Sequence, residues 1–413
     1  MVTRDTRYFL LLNIGHFLDH YLMLIFAAVA ALALSSEWGM SYAALLPYGV
    51  PGFTAFALCA LPMGILADRY GRDAMMVVFF LGMGLACILT GFAQTPLQLG
   101  AGLLLIGVFG AIYHPVGLGI VTARWKRTGM RLAVNGIWGN LGVGAAALGS
   151  GLLIDLAGWR AAFFVPGLVC MAMALPYWRV SRRIQQEGVV PVGGAAKPLL
   201  TSGPAPLLVL ACVYLTAMVG SIVFQSTTVA LPEIFEERLA GLAQEILAFL
   251  SWAQLQSASV LGALAFLVLA AASLAQLVTG FMLDRYGARP TLSLVAALQV
   301  VAFIAMLGQS GLAAFLIALV FMLGVFGQVP VTDFLVSTTS SVKARSRALG
   351  LRYMVSFLAF SAALPLIAVV QSNFGFDGLF LVLMGCAALI FLGARVLLPR
   401  ETRQPLADLG AKT

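Results

Sequence analysis

Apolar stretches of roughly 20 residues, separated by short runs of charged and turn-forming residues, recur from one end of the 413-residue chain to the other. At 1.5 Å per helical residue, each is long enough to cross the ~30 Å hydrocarbon core of a bilayer. The pattern predicts an all-α integral membrane protein with twelve spans, near 8–34, 42–67, 74–93, 97–122, 131–154, 160–178, 206–231, 258–283, 291–308, 312–340, 349–371 and 376–399. The first run is too long, and too polar in its middle, for a signal peptide. The longest polar, Gly- and Pro-bearing stretch lies near the midpoint. It divides the chain into an N-terminal half (1–178), a cytoplasmic linker (179–205), a C-terminal half (206–399) and a cytoplasmic tail (400–413). The segment 231–255, with Glu233, Glu236, Glu237 and Glu245, reads equally as an external amphipathic helix or as an extension of the seventh span.

Composition agrees with this reading. Hydrophobic residues make up 61% of the chain and charged residues 10%, against about 25% charged in soluble domains. The net charge of +8 does not point to nucleic acid, because 22 of the 24 Lys and Arg lie at span ends and loops on the side of the N-terminus. Arg160 and Arg238 are the exceptions. By the positive-inside rule both termini are expected in the cytoplasm. The five cysteines sit within apolar segments and read as packing residues, not as a metal cluster or disulfides.

An internal repeat organises the two halves. GILADRYGR begins at Gly64, after the second span, and GFMLDRYGAR at Gly280, after the eighth. The pairs Gly64/Gly280, Asp68/Asp284, Arg69/Arg285, Tyr70/Tyr286, Gly71/Gly287 and Arg131/Arg347 all keep an offset of 216. Such a register implies parallel repeats about an axis along the membrane normal, with a site at their interface near the midplane.

GILADRYGR resembles the loop signature between the second and third helices of the major facilitator superfamily. The central loop and the DLAGWR turn at Asp155–Arg160 extend the likeness over essentially the whole chain. The resemblance implies two pseudo-symmetric six-helix halves, with the first, fourth, seventh and tenth helices lining a central cavity. It also implies a cytoplasmic latch at Gly64, Asp68, Arg69, Gly71 and Arg72, echoed at Gly280, Asp284, Arg285 and Gly287. The fourth span, LLLIGVFGAIYHPVG (103–117), lacks the arginine common in proton-coupled members. The fifth span is rich in glycine but lacks the proline of efflux-type antiporters. H-F-x-x-D at His16–Asp19, H-P-x-G at His114–Gly117 and NGIWGNLG in the fifth span are similar to the fosmidomycin-resistance-like branch, which suggests export of a small polar or amphiphilic compound.

The candidate chemistry lies in polar residues at membrane depth. On one face of the first span, His16, Asp19 and His20 stand at i, i+3 and i+4. An ionisable residue there costs about 2.5–3.5 kcal/mol on insertion scales and marks a functional site by default. Counting about 1.5 Å per residue from the span ends puts His16, His114 and Asp333 near the midplane. His16, Asp19, His20, His114 and Asp333 are the expected proton-coupling and substrate residues. Gln225, Ser226, Thr227, Thr228, Gln328 and Thr332 add polar groups on cavity helices, with Asn135 and Asn140 in the fifth span; their plainer role is helix–helix hydrogen bonding. Arg352 reads as a residue snorkelling to the cytoplasmic surface. The leading expectation is a secondary transporter working by alternating access, with a small-molecule substrate and protons as partners, no cofactor and no resident metal. It is expected to be monomeric, in the bacterial inner membrane. One alternative is a transition-metal permease using His16, Asp19 and His20, with Met23 extending the line. A non-transporting assembly factor on the same fold is another. No GxxxxGK[ST] nucleotide motif and no nucleophile–base pair is visible, so an ATP engine or an enzyme is not expected.

The charge distribution is open to direct test. A green fluorescent protein fused to the C-terminus should fluoresce in bacterial cells, and alkaline phosphatase at the same place should be inactive. The reverse pair of results would overturn the assignment of the termini.

Overall fold

The computed structural model describes residues 3–125, 128–186, 206–251, 255–339, 345–396 and residue 398. Every regular element among them is helical. The expected tail, most of the expected linker and Lys126 and Arg127 lie outside the described residues.

Eleven of the helices are long and apolar enough to cross a membrane. The last of these, Arg345–Val396, carries two crossings, because Gly375 breaks it at φ 65° and ψ −170°. The result is the twelve-span, two-half fold. Thr3 starts the first helix (Arg4–Val29) by accepting the Thr6 amide at 3.2 Å, with Asp5 in the first turn where the helix dipole favours an anion. The fourth span is two helices, Pro96–Gly110 and Tyr113–Arg124. Pro115 explains the break: it has no N–H for the Ala111 carbonyl and its ring crowds that turn. His114 therefore sits just past a helix interruption. The ambiguous segment after the seventh span continues as helix, Pro206–Phe249, through Pro232.

The repeat extends beyond the signature loops. Gly71 (φ 95°) and Gly287 (φ 83°) end the second and eighth spans in a backbone region that suits glycine. Gly158 and Gly375, 217 apart, both have positive φ, and the residues after them, Trp159 and Phe376, are both fully buried. The ends of the halves away from the N-terminus are clamped alike, with the charges exchanged. In the N-terminal half Arg160 pairs with Glu37 at 3.2 Å and donates to the Ala93 carbonyl at 3.4 Å. In the C-terminal half Arg238 pairs with Asp377 at 3.0 Å and donates to the Gln309 carbonyl at 3.4 Å. Ala93 and Gln309 again differ by 216.

The halves meet along two seams, fifth span against eighth and second against eleventh. At the end distant from the N-terminus both are tight. Gly151 lies against the backbone of Ala258, and Gly262 against that of Ala147, so closely that a Cβ at either would clash. Glycine removes side-chain bulk where helices must touch. Thr54 donates to Ser361 at 3.0 Å and Tyr42 to the Val229 carbonyl at 2.9 Å. Asp155, from the N-terminal half, accepts the Ser259 amide at 2.8 Å and the Gln256 amide at 3.3 Å. It thus caps the eighth span (Ser257–Tyr286), whose own cap residue, Gln256, makes no side-chain bond to it.

The signature loops behave differently. Asp68 has an exposed side chain, 4.0 Å from Arg72 of its own turn. Arg72 also donates to the Gly119 carbonyl at 3.1 Å, within the same half. Asp284 and Arg285 are exposed, and a Cβ on Gly280 or Gly136 would meet nothing within 4 Å. Among the described residues the two signatures do not bond to each other. The bonds between the halves named above therefore lie at the distal end.

The Asp155 cap gives the first structural prediction. Losing a helix cap costs about 1 kcal/mol, so Asp155→Ala should speed amide exchange at Ser259 about fivefold in hydrogen–deuterium exchange. Unchanged exchange there would mean that the carboxylate does not hold the seam.

Candidate functional site

All three histidines of the chain meet in one place. Spacing of four on the first helix puts His16 and His20 on one face, with their rings 4.9 Å apart and their Nε2 atoms 3.1 Å apart. His114, from beyond the break in the fourth span, stands edge-on to both, at 5.3 and 5.4 Å between ring centres. One ring nitrogen from each of the three falls within 4.8 Å of the others. Asp19 is fully buried, its Oδ2 3.5 Å from His114 Nε2, and among the described residues neither of its oxygens accepts a hydrogen bond.

A second layer fixes this group. His16 Nδ1 is 2.8 Å from the Asn135 carbonyl oxygen. A carbonyl can only accept, so Nδ1 carries the proton, and in the neutral ring the lone pair is on Nε2, facing His20. The Asn135 amide donates to Asn13 Oδ1 and to the Tyr113 hydroxyl, both at 2.9 Å, and Tyr113 donates to the Leu12 carbonyl at 2.7 Å. The Tyr113 ring stacks on His16 at 4.8 Å and 16°. Glycines make room: a Cβ on Gly139 would lie 2.6 Å from His16 Nε2, and one on Gly110 3.2 Å from Asp19 Oδ1.

Both halves reach the group. Phe56 of the second span and Phe357 of the eleventh pack against His114, at 5.7 and 5.0 Å, and against each other at 4.8 Å. A cavity of about 10 Å³ beside His20 is lined by Met23, Phe56, Phe224, Gln225 and Thr228, among others. It has room for about one water and none for a substrate.

Other expected residues lie elsewhere. Ser226 and Thr227 are buried on the seventh span, and Thr227 bonds back to the Val223 carbonyl at 2.9 Å. Gln328 accepts from Gln299 at 2.9 Å inside the C-terminal half. Asn140 is half-buried and takes no part in the His16 network. Asp333 pairs with Arg352 at 3.0 Å and makes no ion pair with a histidine. Arg352 does not snorkel: it is 7% exposed and held inward by that carboxylate. Equal depth had suggested that Asp333 would join the histidines, but depth says nothing about which way a side chain faces. Tyr113, Asn13, Phe56 and Phe357 were not expected. Tyr113, next to His114, and Asn13, one turn before His16, carried a weak signal; the two phenylalanines carried none.

The family assignment follows from the whole chain. A family model described as the Major Facilitator Superfamily matches residues 12–253 and 239–413. The chain belongs to the Major Facilitator Superfamily. The fold is similar to that of a solved bacterial homologue of the human lysosomal transporter Spinster, with a TM-score of 0.75, 15% identity and coverage of 96% of this chain and 98% of that one. It is also similar to the D-xylose–proton symporter, with a TM-score of 0.70, 14% identity and coverage of 96% and 99%. Among curated relatives, the multidrug resistance protein MdtG of Rahnella sp. (strain Y9602) is 33% identical over 48% of this chain and 47% of its own length. The puromycin resistance protein pur8 of Streptomyces alboniger is 34% identical over 32% and 27%. The gallate transporter of Pseudomonas putida is 27% identical over 35% and 33%. The chain covers between about a quarter and a half of these curated relatives.

The glycine contacts generate a stability test. Gly139→Ala forces a methyl group onto His16 and should cost about 1–3 kcal/mol, lowering the Tm of the detergent-purified protein. Gly136→Ala, where a Cβ meets nothing, should leave it unchanged. Equal Tm values for both variants would show that His16 is not held by close packing.

Proposed function

We propose that this protein is a secondary transporter that exports a small molecule by alternating access, coupled to proton movement through Asp19 and His114. One observation carries the reading. A fully buried carboxylate without a hydrogen-bond donor faces an imidazole at 3.5 Å, where side chains of both halves converge. A carboxylate is costly to keep charged in such surroundings. A proton taken up there therefore changes the stability of the closed packing, which is what coupling requires.

Bonds between the halves at the distal end, with none between the two signatures among the described residues, support the alternating part of the proposal. Passage to the opposite state breaks the Asp155 cap and the Thr54–Ser361 bond, and brings Gly64, Asp68, Arg69, Gly71 and Arg72 toward Gly280, Asp284, Arg285 and Gly287 as the latch. The names of the resistance relatives favour export, and a polar or amphiphilic cargo fits the fosmidomycin-resistance-like motifs of the first and fourth spans. With both termini cytoplasmic, the end that carries the signatures faces the cytoplasm of a bacterial inner membrane, where an exporter loads. His20, Gln225 and Thr228 are the first cargo contacts, and Asp333 with Arg352 forms a charged wall in the C-terminal half. The transporter acts as a monomer.

Inside-out vesicles carrying an acridine reporter of the pH gradient test the coupling, with puromycin and gallate as the first compounds tried and a wider panel after them. Wild-type vesicles should discharge the gradient when a transported compound is added, and Asp19→Asn vesicles should behave like vesicles without the protein. Flux of a compound that ignores the gradient and survives Asp19→Asn would overturn proton coupling.

A further inference from the structure

The geometry points to a site for one divalent first-row transition-metal ion, of the zinc, nickel or cobalt class, held by His16, His20 and His114, with the Asp19 carboxylate as fourth ligand. This goes beyond the transport reading and is tested apart from it.

Four independent features support it. First, convergence: the three histidines come from two spans nearly a hundred residues apart and place one nitrogen each within 4.8 Å. Second, spacing: zinc–nitrogen bonds of ~2.0–2.1 Å put two ligands of a tetrahedral ion ~3.3 Å apart, close to the 3.1 Å between His16 and His20 Nε2. The widest nitrogen pair has roughly 1.5 Å to close to reach that edge, a distance that side-chain rotation supplies. Third, orientation: a metal-bound imidazole usually donates its other ring N–H to a carbonyl or carboxylate, which leaves the lone pair toward the ion. His16 already does so, through Nδ1 to the Asn135 carbonyl, with the ring sandwiched against Tyr113. Fourth, charge: Asp19 is 0% exposed, its oxygens accept no hydrogen bond, and Oδ2 lies 3.5 Å from His114 Nε2. A dication gives that carboxylate a partner that the helices around it do not. Three imidazoles and one carboxylate without thiolate suit zinc, nickel or cobalt better than the hard oxygen-seeking ions or Cu(I).

The structure also narrows the ligand set readable from the sequence. His114 joins His16 and His20 as the third nitrogen ligand, and Met23 lines the small cavity beside His20.

The full chain, purified in detergent with a histidine-free affinity tag, is titrated with Co²⁺ and followed by its visible d–d absorption, then by displacement with Zn²⁺. One ion per chain should bind with a saturable spectrum. His16→Gln and His114→Gln should each weaken binding by at least roughly 10-fold, with monodisperse elution and an unchanged helical circular dichroism spectrum. For a reading that needs no variant, zinc X-ray absorption on the wild type should show nitrogen and oxygen neighbours at ~2.0–2.1 Å with the multiple scattering of imidazole. No saturable Co²⁺ spectrum, binding that persists in the His16→Gln/His114→Gln double variant, or a zinc shell containing sulfur or oxygen alone would each overturn the site. These measurements are made on protein at rest in detergent, so failure here leaves gradient-driven flux untouched, and loss of flux in Asp19→Asn does not by itself indicate a metal.

Discussion

A bilayer core offers no water to a polar side chain, so such groups inside this chain must find their partners within the protein. That constraint governs the centre of the molecule. His16 takes a backbone carbonyl of the fifth span, Asn135 reaches Asn13 and Tyr113, and Tyr113 reaches back to the first span. The three spans are thereby joined through one ring of bonds, and the fifth span needs glycine where the first presses on it. Asp19 stands apart. It is enclosed by the same packing and yet is offered only an imidazole, at a distance too long for a strong hydrogen bond. An arrangement that satisfies its neighbours and leaves one carboxylate waiting is costly as a scaffold and useful as a site.

The two halves handle the same constraint at their ends by repeating geometry without repeating sequence. The arginine and its acid exchange places between Arg160–Glu37 and Arg238–Asp377, while the carbonyls that receive the arginines, Ala93 and Gln309, keep the repeat offset. Backbone positions have outlasted side-chain identities because a helix end needs a capped carbonyl and a neutralised charge, whichever strand of the clamp supplies them. These clamps lie within each half. The Asp155 cap lies between the halves, so rigid bodies are held by internal pairs and joined by a separate, part-buried bond.

Much of this was legible beforehand. Hydropathy length gave the spans, charge asymmetry gave a topology to test, and the 216-residue register gave the two halves. His16, Asp19 and His20 stood out because charge at membrane depth is rare, and His114 for the same reason. Azimuth was not legible. Asp333 sits at a depth similar to that of His114, but its side chain faces Arg352, and a single sequence carries no record of which way the tenth span is turned. Nor could spacing reveal that Phe357 and Phe56 would meet over His114, since an apolar residue in an apolar span carries no contrast. The break before His114 was readable in principle from Pro115, but its consequence, an imidazole turned toward the first span, needed the packing.

Proton and metal readings of the same atoms are less opposed than they look. Each requires a nitrogen lone pair aimed at the centre of the group and a carboxylate that lacks a permanent partner. The Asn135 carbonyl supplies the first by forcing the His16 proton outward, whatever occupies the centre. Gly110 and the close packing around Asp19 supply the second. A lone pair that holds a proton cannot hold a metal ion, so an occupant of either kind excludes the other. The chemistry of the centre is then tied to groups carried by two helices. A transporter needs such a tie whichever charge it moves.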